Sequence, residues 1–271
     1  MNTEISLLTD NEAQVPTRLS AFGFSANPGT LDEYLSLVAH HVGCRAPISI
    51  FYHNQHTLYG YFTNERLKQC YKRATVIADG MCVVWLCKIA GFKLTREHRL
   101  TYVDFIIPLM EMAQSQGWRV YHIGQETNVL NKALQTIRTD VPGIAIDGHH
   151  GYFDQTAHST ESIDVIDKIN AHATDILLVG FGTPSQEYWV DAHRNSINAP
   201  VILTCGACME YVAGAVRTPP RWMGRIGMEW SFRLMENPRR FAHRYTVQTI
   251  KLSLILCRNW FRNRFAESGK A

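Results

Sequence analysis

Short apolar runs recur along this chain at 48–52, 75–78, 119–123, 144–147, 175–179 and 201–204, and several end at glycine. Between them lie stretches with apolar positions at helical spacing, at 64–74, 83–90, 103–116, 128–139, 162–173 and 190–196. A further helix is expected over 31–42, behind the turn signal Ala26-Asn-Pro-Gly29, with Thr30 and Glu33 at the spacing of a capping box. Apolar strands alternating with helices predict an α/β domain of three layers around a largely parallel sheet. In such sheets ligands bind outside the carboxyl ends of the strands, so the glycine-terminated strand ends are where a site is expected.

From Arg217 onward the pattern changes to helical, basic and aromatic. The reading is an N-terminal segment over 1–45, an α/β core over 46–216 and a basic helical C-terminal appendage over 217–271. No internal repeat or low-complexity tract is visible.

Charge sharpens that division. The 271-residue chain has a net charge of only +3, but between Arg217 and Arg264 eleven basic residues face only Glu229 and Glu236, a local +9 that leaves −6 elsewhere. An anionic partner for the C-terminal part follows: membrane lipid, a diphosphate or nucleic acid. The mean hydropathy of −0.15 argues against a polytopic membrane protein. The stretch 246–257 is interrupted by Gln248 and Lys251 and is too short to span a bilayer. The first residues lack a cationic segment ahead of an apolar run, so no signal peptide is expected. Seven scattered cysteines then fit a reducing, cytoplasmic compartment.

Several short motifs have both a chemical and a plain reading. Asp79, between an apolar strand and Gly80, can be a general base or the cap of the next helix, and position alone favours the cap. Gly180-Phe-Gly182-Thr-Pro-Ser-Gln186-Glu187 can bring a ligand close to the backbone at a helix N-terminus, but it is neither a Walker A loop nor a complete dinucleotide fingerprint. Cys205-Gly-Ala-Cys208 reads as a tight strand-to-helix turn with two buried thiols rather than a redox pair. His149-His150 lacks further ligands at metal spacing, so no metal site and no cofactor are expected.

Together these stretches resemble the TagA/WecG/CpsF family of glycosyltransferases. The resemblance is carried by Ala78-Asp-Gly80 with Val83-Val84, Arg99-Leu-Thr-Tyr-Val-Asp104, Val120-Tyr-His-Ile-Gly124 and His150-Gly-Tyr-Phe153. It continues through 175–187 with Trp189, Ala213-Gly214, Arg217-Thr-Pro-Pro-Arg-Trp222, Met228-Glu-Trp230, Arg233-Leu234 and Pro238-Arg-Arg240. It implies a Rossmann-like core and an inverting, metal-independent transfer. The sugar moves from a UDP-sugar to a polyprenyl-diphosphate-linked glycan, for cell-surface polysaccharide or exopolysaccharide.

Carried over by position, the resemblance makes Asp79 the catalytic base. It places Asn54, Thr101, Asp104, Gly124, Gly182, Gln186, Glu187 and Gly206 around the donor. It places Arg217, Arg221, Arg233, Arg239, Arg240 and Arg244 on the acceptor diphosphate, at the inner face of the plasma membrane. The chain departs from the family pattern at Tyr102, where glycine is usual, at Ser185, where lysine is usual, at 206–210 and at 53–62. These departures leave a hexose and an N-acetylated mannose derivative both open as donor sugar. A homo-oligomer also stays open. Two other classes remain beside the enzyme: a non-catalytic scaffold of a polysaccharide assembly complex, and a basic nucleic-acid-binding protein, for which no recognised motif is present.

Overall fold

The computed structural model describes residues 15–220, 223–224 and 227–268. An antiparallel hairpin, β1 (Leu19–Ala21) and β2 (Phe24–Ala26), precedes helix α1 (Leu31–Gly43). Thr30 and Glu33 form the expected capping box: the Thr30 hydroxyl accepts from Glu33 N, and the Glu33 carboxylate accepts from Thr30 N at 2.7 Å.

The core then runs β3 (Ile48–His53), α2 (Gln55–Thr63), α3 (Glu65–Lys72), β4 (Thr75–Ala78), α4 (Met81–Ile89), α5 (Tyr102–Ser115), β5 (Arg119–Gly124) and α6 (Thr127–Asp140). It continues through β6 (Ala145–His149), α7 (Thr160–Ala171), β7 (Ile176–Gly180), α8 (Ser185–His193), β8 (Val201–Thr204) and α9 (Cys208–Val212). Six strands form one sheet in the order β4-β3-β8-β7-β5-β6, every neighbouring pair parallel. The chain leaves β3 outward to β4 and later returns to place β8 on its other side. The β3/β8 boundary is therefore a crevice between diverging connections, where such sheets bind ligands.

Strand alternation divides the apolar side chains between two cores. Ile50, Leu178 and Leu203 point to the face covered by α1, α5, α6 and α9, whereas Phe51, Val179 and Ile202 point to the face covered by α2, α3, α4, α7 and α8. A sheet buried on both faces explains why these strands read as continuous apolar runs.

After residue 216 come α10 (Glu229–Glu236), α11 (Pro238–His243), a π-helical turn at Arg244–Gln248, and α12 (Thr249–Ser268). This appendage is docked on the core: Leu252 and Leu256 of α12 are buried in the second apolar cluster, and Asn259 Nδ2 donates to Phe22 O at 2.9 Å. Leu178 is fully buried mid-sheet, so Leu178→Ala should cost about 3 kcal/mol in urea unfolding. Thr30→Ala, which loses only a cap, should cost about 1 kcal/mol.

Candidate active site

Two cavities open at the carboxyl ends of the strands. The first, about 250 Å³, is lined by Asp79, Asn54, Arg99, Glu229, Arg233 and Arg244, with Trp85, Trp230 and Tyr245 among its apolar walls. The second, about 330 Å³, lies over Gly182 and Gly206 and is closed by Phe241, His243 and Gln248. Asn54 and Arg244 line both. A third cavity, about 600 Å³, opens at the opposite pole, but its guanidinium groups are committed. Arg45 and Arg73 pair with Asp175 and Asp191, and Arg18 and Arg194 bond main-chain carbonyls.

Asp79 stands one residue beyond β4 and is not a cap. The N-cap of α4 is Gly80, at φ +104°, with no side-chain cap bond. A side chain there would be strained, and glycine lets the chain turn sharply enough to leave the carboxylate facing the cavity. Asn54 holds that carboxylate by donating from Nδ2 to Asp79 Oδ2 at 3.1 Å. Its Oδ1 at the same time accepts from His56 N and Thr57 N, capping α2. Burial raises the Asp79 pKa, and the Arg233 guanidinium and the Asn54 amide oppose the rise.

Arg233 and Arg244 come from the appendage, and the Nε of each is buried without a hydrogen-bond partner. Arg244 sits over the rings of Phe241 and Tyr245 and approaches Asn54 Oδ1 at 3.4 Å. Half-buried guanidinium groups with an unused, buried Nε donor are suited to an anion. Arg99 latches appendage to core, donating to Glu229 at 2.7 Å and to Asp104 at 3.0 Å.

The other residues expected around the donor act mostly from behind the wall. Thr101 donates to Asp104 at 2.8 Å, so both hold Arg99 rather than line a cavity. Gly124 is buried against Gly180, where a Cβ would come within 2.8 Å of the carbonyl oxygen. Gln186 and Glu187 are fully buried. Gln186 Oε1 accepts from Gly182 N and Gly206 N at 3.3 and 3.2 Å, tying the two glycine loops together. Its Nε2 donates to Glu187 at 2.8 Å, and Thr183 donates to the same carboxylate at 3.0 Å. Their side chains therefore shape the second cavity without facing it.

A second tie was not expected from the sequence. Gln125 Nε2 donates to Gly180 O and Gly206 O, and its Oε1 accepts from His122 Nε2 at 2.5 Å. Burial pushes His122 down to about 4, which keeps the ring neutral and its N–H aimed at that oxygen. Nothing in a lone loop glutamine signals this role.

Of the arginines assigned to the acceptor, only Arg233 and Arg244 reach a described cavity. Arg217 is exposed and pairs with Glu236 at 3.6 Å, and Arg239 is exposed. Arg221 and the Arg240 side chain lie outside the described residues. Cys205 and Cys208 are buried, as a structural turn requires. Among the described residues no three His, Cys, Asp or Glu side chains converge as a metal site would.

The family model described as "Glycosyl transferase WecG/TagA/CpsF family" matches residues 19–266, from the hairpin through α12. The chain belongs to this family. Among curated relatives, the N-acetylglucosaminyldiphosphoundecaprenol N-acetyl-beta-D-mannosaminyltransferase of Bacillus spizizenii is 27% identical over 172 residues, 64% of each chain. The protein of the same name from Staphylococcus aureus is 26% identical over 167 residues, 62% of this chain and 63% of its own. The alignments thus span a little under two thirds of these relatives.

Burial holds the Glu187 carboxyl up to about 7, against an ordinary 4.5. Between those values the folded protein binds a proton that the unfolded chain has lost, so stability falls as pH rises through that window and levels off above it. Glu187→Gln should flatten this slope in denaturant midpoints measured from pH 4.5 to pH 8.

Proposed function

We propose that this family member is an inverting glycosyltransferase that moves a sugar from a UDP-sugar to a polyprenyl-diphosphate-linked glycan, with Asp79 as general base. The observation that carries the reading is the Asp79 carboxylate sharing one cavity with Arg233 and Arg244, two half-buried arginines whose buried Nε donors have no partner. The donor's nucleoside diphosphate would occupy the cavity over Gly182 and Gly206, with the acceptor at Asp79. Asn54 and Arg244, common to both cavities, mark where the sugars would meet.

In this mechanism Asp79 takes the proton of the acceptor hydroxyl. The oxygen attacks the anomeric carbon from the face opposite UDP, and the bond to UDP breaks with its electron pair leaving on the diphosphate. The Arg244 guanidinium, which lines both cavities, stabilises that leaving charge. The reading assigns no metal. The relatives' names make an N-acetylmannosaminyl donor the first to test, and the altered 206–210 segment makes a hexose the second.

The same reading places the protein on the inner face of the plasma membrane. No helix among the described residues is long and apolar enough to cross a membrane. Ile250, Leu254 and Phe261 nevertheless form an exposed stripe on α12, beside Lys251, Arg258 and Arg262. An apolar stripe flanked by cations suits an anionic membrane interface.

UDP release measured across a panel of UDP-sugars, with a short-chain polyprenyl-diphosphate-sugar acceptor, should show acceptor-dependent turnover with one donor. Asp79→Asn should lower kcat by roughly 10²–10⁴-fold, and a variant that keeps most of its turnover would remove Asp79 from the base role. The acidic limb of kcat/KM should lie above the ordinary aspartate range, because burial raises the Asp79 pKa. Arg233→Ala, which removes the charge opposing that rise, should move the limb higher still.

A further inference from the structure

Helix α4 is buried on one side and carries exposed apolar side chains on the other. Val83, Val84 and Cys87 pack in the core, whereas Trp85 is 47% exposed and Ile89, one turn further on, 67%. Lys88 on the helix and Lys93 and Arg96 in the stretch that follows it are exposed, and Glu97 is the one acid between Met81 and His98. An exposed tryptophan and isoleucine in a basic stretch have the composition of an element that lies in the headgroup region of an anionic bilayer.

The position of α4 gives this face a purpose. Met81, Cys82 and Trp85 line the Asp79 cavity, and Trp85 also lies against Gly227, where a Cβ would come within 2.7 Å of the indole. The helix packs on β1, and the same hairpin receives the Asn259 bond of α12. Both helices therefore flank one hairpin. The turn at Arg244–Gln248 that leads into α12 also supplies Arg244 and Tyr245 to the cavity.

We propose that α4 and the turn behind it form a membrane contact of their own, separate from α12, that seats the mouth of the Asp79 cavity against an anionic lipid surface. The inference rests on the reading of the acceptor as lipid-linked. Such an acceptor carries its reacting sugar close to the headgroups, and a cavity rimmed by its own membrane contact meets it there. Held by α12 alone, the protein would be tethered but free to turn the cavity away.

The test is co-sedimentation of the full chain with vesicles of phosphatidylglycerol and phosphatidylcholine, set against phosphatidylcholine alone. The pair Ile89→Glu, which puts a charge in the apolar contact, and Lys93→Glu, which reverses one, should lower partitioning onto the anionic vesicles by roughly tenfold with α12 untouched. The milder pair Lys93→Gln with Arg96→Gln, which leaves the apolar contacts in place, should lower it less. Both variants should turn over a water-soluble short-chain acceptor at the wild-type rate and lose rate on a full-length acceptor embedded in vesicles. Partitioning equal to wild type in both variants, with Ile250→Glu and Leu254→Glu detaching the protein, would overturn the proposal. The soluble-acceptor rate reports separately on glycosyl transfer, so failure of that reading is distinguishable from failure of the membrane contact.

Discussion

A single amide, that of Asn54, joins the parts of this site. Its oxygen caps α2 and its nitrogen holds the Asp79 carboxylate, while Arg244 approaches the same oxygen from the appendage. The orientation of the amide is dictated by the cap: helix N–H groups require an oxygen, which leaves the NH₂ for the carboxylate. An aspartate in its place could cap α2 equally well but would set a second negative charge against Asp79. The requirement for a neutral donor opposite a buried carboxylate thus links the start of a helix to the electrostatics of the site.

The sheet supplies the frame for that contact. Burial on both faces leaves its carboxyl edge free to receive ligands, and glycines there let neighbouring loops approach within van der Waals distance. Gln186 and Gln125 fasten those loops from two directions, one accepting from main-chain N–H groups and the other donating to main-chain carbonyls. Because a buried polar group without a partner is costly, these ties fix the loop geometry before any ligand arrives.

Much of this frame was legible in the sequence. All six strands of the sheet were expected close to their observed bounds, because a strand buried on both faces leaves an apolar run that little else imitates. The Thr30–Glu33 cap was legible for a similar reason, being a local pattern with a local cause. The β1–β2 hairpin and α2 were missed: the hairpin is short, and α2 carries a weakly periodic sequence, Gln-His-Thr-Leu-Tyr-Gly-Tyr-Phe-Thr, held by its Asn54 cap. At the site, Asp79, Arg233 and Arg244 were identified by position and come together in space. Gln186 and Glu187 were expected to face a ligand and are buried beneath the loop. Sequence shows that a polar residue stands near a strand end, but not on which side of the loop its side chain falls.

Arg244 belongs to two cavities at once, and a guanidinium has only one charge to give. An anion settling in either space draws on the same counterion and weakens its hold on the other. The two chambers are thereby in electrostatic conversation through one side chain, and whichever is filled first sets the terms on which the second is entered.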